Sequence, residues 1–461
     1  MRDARVRVLY VWRISLTDLA QHFTAGKLVR YTVPMMAMFF VSSAYSIVDG
    51  LFVSNVVGKT ALASVTLIVP FITILSTLGM MMGSGGSAVV GKLLGAGKTA
   101  EARRAFSSIV AAVFVAGTVA AVVGFVCMDQ AVGLLGATGQ MAAFAVTYGR
   151  IAFLSLPFMM LQYVFEMFSA TSGRPGLGLA SSVIAGVTNI VLDAVFLLVF
   201  KWGVAGAALA TSISEYVAGI FMLVMFARGH AGTLRLVRPA ADFRLFGRAA
   251  FNGLSEMMAT MAASVVAIAY NFQLMRLLGE DGVAAYAVIE YASMLTGAVM
   301  GGFVEGVSPL MSYQHGAGNT VEKRSLFRRG LAVTVVLGVG MFCTSQLVAS
   351  PLAALFTSYD PELQHLATHA FRVYSVSFLL MGFADFGSAM FTAVENGKVS
   401  AAISFVDTIV FEVGAVLLLP LALGADGIWW AISVAEAAAS LLVFVFLTRY
   451  ACRYGWVAER V

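Results

Sequence analysis

Apolar residues run in stretches of about 20 or more between short polar segments, the length needed to cross a hydrocarbon core of roughly 30 Å at 1.5 Å rise per residue. Twelve spans are read in this way: 28–52, 61–83, 107–128, 148–170, 177–200, 204–226, 247–278, 283–307, 331–349, 371–394, 399–421 and 428–447. Lone Gly and Pro residues inside them do not argue against helix, since both are commoner in membrane helices than in soluble ones. Over 461 residues, 60% are hydrophobic and only 11% charged, against roughly a quarter charged in soluble domains. Lipid is therefore the expected solvent, and the fold class is all-α, with an arm 1–27, a first lobe 28–227, a linker 228–246, a second lobe 247–448 and a tail 449–461.

Charge fixes the expected orientation. With the N-terminus inside, the inner segments collect 24 of the 29 Lys and Arg residues, leaving only Lys59, Arg150, Lys201, Arg276 and Arg372 outside. The positive-inside rule then places both termini in the cytoplasm of an inner-membrane protein. The arm carries Arg2, Arg5, Arg7 and Arg13 but no apolar run before Leu28, so the first span is expected to be retained rather than cleaved. The pI near 9.1 reports this topology and not nucleic-acid binding, because the basic residues sit in short loops between apolar spans.

The chain repeats itself at an offset of 221 residues, most plainly where GAGKTAEAR from Gly95 matches GAGNTVEKR from Gly316. The same offset pairs Gly58 with Gly279, Gly85 with Gly306 and Ser87 with Ser308, and near 223 Met167-Phe-Ser-Ala170 matches Met390-Phe-Thr-Ala393. Each half thus holds six spans, an even number, so both halves share one orientation and are related by an axis along the membrane normal. Secondary transporters use such parallel repeats, with the substrate site between the lobes.

Acids within spans are costly and default to a functional reading. In the first half these are Asp49, Glu166, Asp193 and Glu215; in the second, Glu256, Glu290, Glu305, Asp385, Asp407, Glu412 and Glu436. Span direction puts Asp49, Asn189 and Asp193 in the outer half of the bilayer, with Tyr148 and Thr211 at the same level, and Asn189 and Asp193 share a helix face four residues apart. Such a set of oxygens suits sodium, and a close carboxylate pair suits a proton; both remain open. Glu215 and Glu436 match under the repeat, which favours shared packing. Glu305 falls toward the cytoplasmic end of its span, where a capping or loop contact and a functional role are equally open. Asp385 and Glu412 sit mid-span without a basic neighbour and are the favoured acids of the second half.

Other signals carry less. The run Gly86-Ser-Ala-Val-Val-Gly-Lys-Leu93 has P-loop glycine spacing, but Leu93 stands where a Ser or Thr must reach magnesium, and no strand precedes it. Cys127, Cys343 and Cys452 lie near span ends without metal or disulfide spacing. His22, His230, His315, His365 and His369 are read in loops or tails, so neither an embedded enzyme nor a cofactor is expected. The Met-rich patches, Met80–Met82 among them, suit packing and also a pocket for varied ligands.

Three segments together resemble the multidrug and toxic compound extrusion (MATE) family. They are Pro34–Gly58 with Ile47-Val-Asp-Gly-Leu-Phe-Val53, Asn189-Ile-Val-Leu-Asp193 followed by Gly203-Val-Ala-Gly-Ala-Ala-Leu-Ala-Thr211, and Ser308-Pro-Leu-Met-Ser-Tyr-Gln-His-Gly-Ala-Gly318. The resemblance covers 28–447. It implies two six-helix lobes in a V that export organic cations or drugs against inward sodium or protons; function as a monomer is a separate expectation, since the oligomeric state is not written in the sequence. By position, Asp49, Asn189, Asp193, Thr211 and Tyr148 are similar to the family's cation site, and Pro34 to its helix-bending proline. Asp385 is similar to an acid some members carry in helix ten. Glu256 departs from the pattern, falling where a helix-seven proline is often found. A lipid-linked precursor flippase of related fold is the alternative, but its pyrophosphate cargo would want a cationic cleft, and these spans hold acids.

Overall fold

The computed structural model describes residues 19–135, 137–357 and 360–456. The expected arm residues Arg2, Arg5, Arg7 and Arg13 and the tail's Arg460 lie outside the described residues. The first lobe contains α1 (Ala25–Phe52), α2 (Lys59–Gly95), α3 (Thr99–Val126), the short α4 (Met128–Leu134), α5 (Gly139–Thr171), α6 (Gly176–Asp193) and α7 (Gly203–Ala227). After the short α8 (Phe243–Asn252), the second lobe contains α9 (Leu254–Gly316), α10 (Thr320–Thr357), α11 (Pro361–Tyr374), α12 (Met381–Ala393), α13 (Gly397–Phe405), α14 (Val413–Leu423) and α15 (Ala425–Tyr454). Among the described residues, eleven continuous helical stretches are long and apolar enough to cross a membrane. One of them, α9, has 63 residues and would reach about 95 Å if straight. It turns back at Gly279 (φ 64°, ψ −148°), a conformation open to glycine and strained for other residues. Two crossings result, twelve in all, in two lobes of six.

Several boundaries differ from the expected spans. Span seven, expected from Gly247, begins at Leu254, because Phe243–Asn252 forms the separate α8, capped by Asp242, whose Oδ1 accepts from Arg244 N at 3.0 Å and Leu245 N at 3.1 Å. At ten residues it reaches only about 15 Å, too short to cross a hydrocarbon core. Span ten starts ten residues earlier than expected, at Pro361, and is broken by one tight 3₁₀ segment, Ser375–Leu379. His365 and His369 are therefore on α11, and His315 is in the last turn of α9. Cys343 lies well inside α10.

The internal repeat is visible in backbone geometry. Gly58 and Gly279, Gly97 and Gly318, and Gly203 and Gly424 all adopt positive φ, and each pair obeys the offset of 221. The same symmetry builds the seam between the lobes. A β-carbon on Gly95 would fall onto the Tyr313 carbonyl, and one on Gly316 onto the Lys92 carbonyl; residues 92 and 313 are repeat equivalents, as are 95 and 316. Likewise Gly85 meets Gly253 while Gly306 meets Thr32. Both contacts join equivalents across one two-fold axis, where α1 and α2 pack against α9.

Polar joints seal the same end. Glu395 accepts from Lys92 of α2 at 2.9 Å and from Arg248 of α8 at 3.1 and 3.2 Å, and Asn252 donates to the Thr392 carbonyl at 2.9 Å.

A strap reinforces this end. Leu19 and Phe23, upstream of α1, are buried in the core of the second lobe rather than the first. Glu322 holds the strap, accepting from Phe23 N at 2.9 Å and contacting His22 Nδ1 at 2.6 Å; Gln314 donates to the Leu19 carbonyl at 2.8 Å, and Arg329 to that of Phe23. Glu322→Ala should strand the buried Phe23 amide, a loss of about 1–3 kcal/mol, and hasten tryptic cleavage at Lys27. An unchanged cleavage rate would show that the strap is held elsewhere.

Candidate functional site

Two groups of buried acids stand out, one inside the first lobe and one between the lobes. In the first, α1 supplies Asp49, α5 Tyr148, α6 Asn189 and Asp193, and α7 Thr211. The structure brings all five together. The Asp49 carboxyl reaches both the Asp193 carboxyl and Asn189, Asn189 Nδ2 lies 3.4 Å from Thr211 Oγ1, and the Tyr148 hydroxyl reaches Thr211. Wide π turns follow both acids: Val53–Val57 begins four residues after Asp49, and Ala194–Val199 immediately after Asp193. Such turns recur at functional sites because they re-aim side chains without ending the helix.

The cluster is rich in acceptors and poor in donors. One oxygen of Asp49, Asn189 Oδ1 and both oxygens of Asp193 are buried without a hydrogen-bond donor. Burial of unpaired acceptors is expensive, and a carboxylate pair adds repulsion. A proton or a hard monovalent ion removes both costs, so the donor set fits either cargo. Among the described residues, no group of three or more His, Cys, Asp or Glu is disposed to hold a metal.

The second group lines a cavity of about 180 Å³ at the seam. From the first lobe come Phe39 of α1, Met80 and Ser84 of α2 and Met167 of α5; from the second come Glu256 and Glu305 of α9, Asp385 and Ser388 of α12, and Ser404 of α13. Residues 84 and 305 are repeat equivalents, and the Ser84 hydroxyl reaches the Glu305 carboxyl, so the cavity straddles the two-fold axis. Its walls differ in chemistry. One is thioether and aromatic, the other carries three carboxyls, and no Lys or Arg lines it.

Of the two readings open for Glu305, the structure favours the second: it is buried at 9% exposure, two-thirds of the way along α9's second crossing, and lines the cavity. The signal that pointed there was its setting, with Gly301, Gly302 and Gly306 around it and Ser84 opposite under the repeat. Glu412 is not among the residues that line the cavity; it ends the π turn Val406–Glu412. Glu256 and Asp385 do share the cavity. Glu215 accepts from Ser155 at 3.0 Å, and Glu166 from Gln162 at 2.9 Å and Ser182 at 3.1 Å. Pro34 lies within α1 between Thr32 and Met36, which meet Gly306 and Gly302 across the seam.

Two repeated lobes, closed at one end around an acid-lined cavity and holding a second polar cluster in the membrane, define a transporter of the parallel-repeat kind. The MatE family profile matches residues 34–195 and 248–416, more than half the chain, and the chain belongs to that family of multidrug efflux transporters. Multidrug export protein MepA of Staphylococcus haemolyticus is 26% identical over 417 residues, covering 90% of this chain and 91% of that protein. A crystal structure of MATE in complex with MaL6 matches with a TM-score of 0.89 at 21% identity, over 95% of this chain and 98% of the other. The outward-facing conformation of a multidrug resistance MATE family transporter of the MOP superfamily matches equally well, with a TM-score of 0.89 at 22% identity over 95% and 98%. At these identities the structural likeness speaks for the fold.

Proposed function

We propose that this chain exports amphiphilic organic cations, which it binds in the cavity between the lobes and exchanges for sodium or protons entering through the Asp49–Asp193 cluster. The observation that carries the reading is the pairing of a polarizable wall, Phe39, Met80 and Met167, with the carboxyls of Glu256, Glu305 and Asp385. A flat cation gains dispersion from the first and Coulomb attraction from the second. A pyrophosphate-linked lipid would meet repulsion there, which counts against a flippase. The sealed, basic end is the cytoplasmic one on this reading, in keeping with the positive-inside rule, and one chain holds both sites, so a monomer suffices.

Helix α1 links the sites. It carries Asp49 at the ion cluster, Phe39 at the cavity wall and Pro34 at the seam. Pro34 removes one backbone donor, so α1 can bend there when an ion relieves the Asp49–Asp193 repulsion, shrinking the cavity and expelling the drug.

The test is ethidium efflux from proteoliposomes under imposed sodium or proton gradients, applied separately. Glu305→Gln and Asp385→Asn should each raise the Kd for ethidium about tenfold or more, as loss of one desolvated charge partner implies. Affinity for a neutral dye of similar size should change less than twofold. Equal losses for both dyes would mean the carboxyls shape the cavity without recognising charge.

A further inference from the structure

We propose that the groove between α2, α3 and α8 binds the headgroup of an anionic phospholipid from the leaflet at the sealed end. The groove encloses about 580 Å³. Lys92, Lys98, Arg104, Arg244 and Arg248 line it. The opposing acids are already engaged: Glu395 with Lys92 and Arg248, Glu101 with Lys98 at 3.3 Å, and Asp242 with the first amides of α8. Arg104 and Arg244 make no side-chain hydrogen bond or ion pair with any described residue. Two unpaired guanidinium groups facing one groove suit a phosphate, which each can grip with paired N–H donors.

Helix α8 argues for a lipid over a soluble anion. Phe243, Gly247 and Phe251 form one stripe along it, four residues apart, with Phe243 82% and Phe251 47% exposed. Arg244 and Arg248 form the adjacent stripe, while Leu245, Ala249 and Asn252 turn toward α2. An exposed aromatic stripe beside a basic one is how an interfacial helix meets acyl chains and headgroups together. The walls are rigid, because the segment before α8 is stapled to α3 by Val237 N to Ser107 Oγ at 2.8 Å and Ala240 N to Ser108 Oγ at 2.9 Å. The groove draws on both lobes, Lys92 and Arg104 from one and Glu395 from the other. A lipid seated there therefore favours the sealed conformation.

The experiment measures phosphatidylglycerol and phosphatidylcholine binding to the delipidated full-length chain by native mass spectrometry, with helical content checked for each variant. Wild type should prefer phosphatidylglycerol. The double variant Arg104→Gln/Arg244→Gln should bind it about 25-fold more weakly, at about fivefold for each basic contact. Arg104→Lys/Arg244→Lys should retain most of the preference, and Phe243→Ser should weaken both lipids several-fold without altering the preference. Equal phosphatidylglycerol binding by wild type and the Gln variant would overturn the site. Glycerol 1-phosphate competing as well as the full lipid would overturn the lipid assignment, because the groove would then hold a soluble anion.

Discussion

Asp193→Asn is expected to abolish ion-driven export while leaving the helices inserted and folded. The substitution is isosteric and supplies the N–H donors that the cluster lacks, since both Asp193 oxygens and Asn189 Oδ1 are buried without one. The variant cluster would keep one carboxylate, Asp49, whose unpaired oxygen the new amide can satisfy, so an entering sodium ion or proton would no longer relieve a carboxylate–carboxylate repulsion. Coupling energies between sites run to about 3 kcal/mol, or roughly 150-fold in affinity, and the ion's effect on drug Kd should fall by about that range. Drug binding without an ion gradient should persist, because the cavity draws on other residues. The measurement is ethidium Kd across a sodium series and a pH series, with counterflow in proteoliposomes alongside. Wild-type ion sensitivity in the variant would remove Asp193 from the coupling step. Sensitivity to sodium but not to pH in the wild type would identify the cargo.

What the chain discloses before folding is set by how local each feature is. Crossing number and the common level of Asp49, Tyr148, Asn189, Asp193 and Thr211 follow from position along single helices, so a one-dimensional reading suffices to put the five together. The repeat was equally open to inspection, and it anticipates the paired positive-φ glycines. Azimuth is another matter. Glu305 and Glu412 are both acids deep in apolar runs, yet only Glu305 faces the other lobe, and which face a helix turns inward depends on its neighbours. The π turns after Asp49 and Asp193 have no composition of their own. The strap is invisible for a related reason: Phe23 and Glu322 lie 299 residues apart, and nothing in either segment names its partner. Helix α11 was partly hidden because Gln364, His365, Thr368, His369 and Arg372 dilute its apolar character.

Gly316→Val should drive the transporter away from the conformation seen here. A β-carbon at this position falls onto the backbone carbonyl of Lys92, and backbone cannot swing aside as a flexible side chain does. Overpacking of this kind costs about 1–3 kcal/mol. That cost is confined to the state in which α2 and α9 touch, so it appears as a population shift of roughly 5- to 150-fold toward the state with this end open. Symmetry supplies an internal replicate. Gly95→Val strikes the Tyr313 carbonyl in the equivalent crossing and should produce a shift of similar size, although the side chain enters from the other lobe. Gly340 has nothing within 4 Å of a built β-carbon, so Gly340→Val is the control for inserting a valine into a membrane helix. Spin labels at Ala96 and Asn319, on a background lacking Cys127, Cys343 and Cys452, report the separation across the seam by pulsed EPR. The Gly316 and Gly95 variants should each gain a longer-distance population that wild type and the Gly340 variant lack. If only one of the two seam variants shifts, the lobes do not close by a symmetric crossing. If neither does, the glycines are not what sets the approach of α2 to α9, and the joints made by Glu395 and Asn252 must hold that end closed.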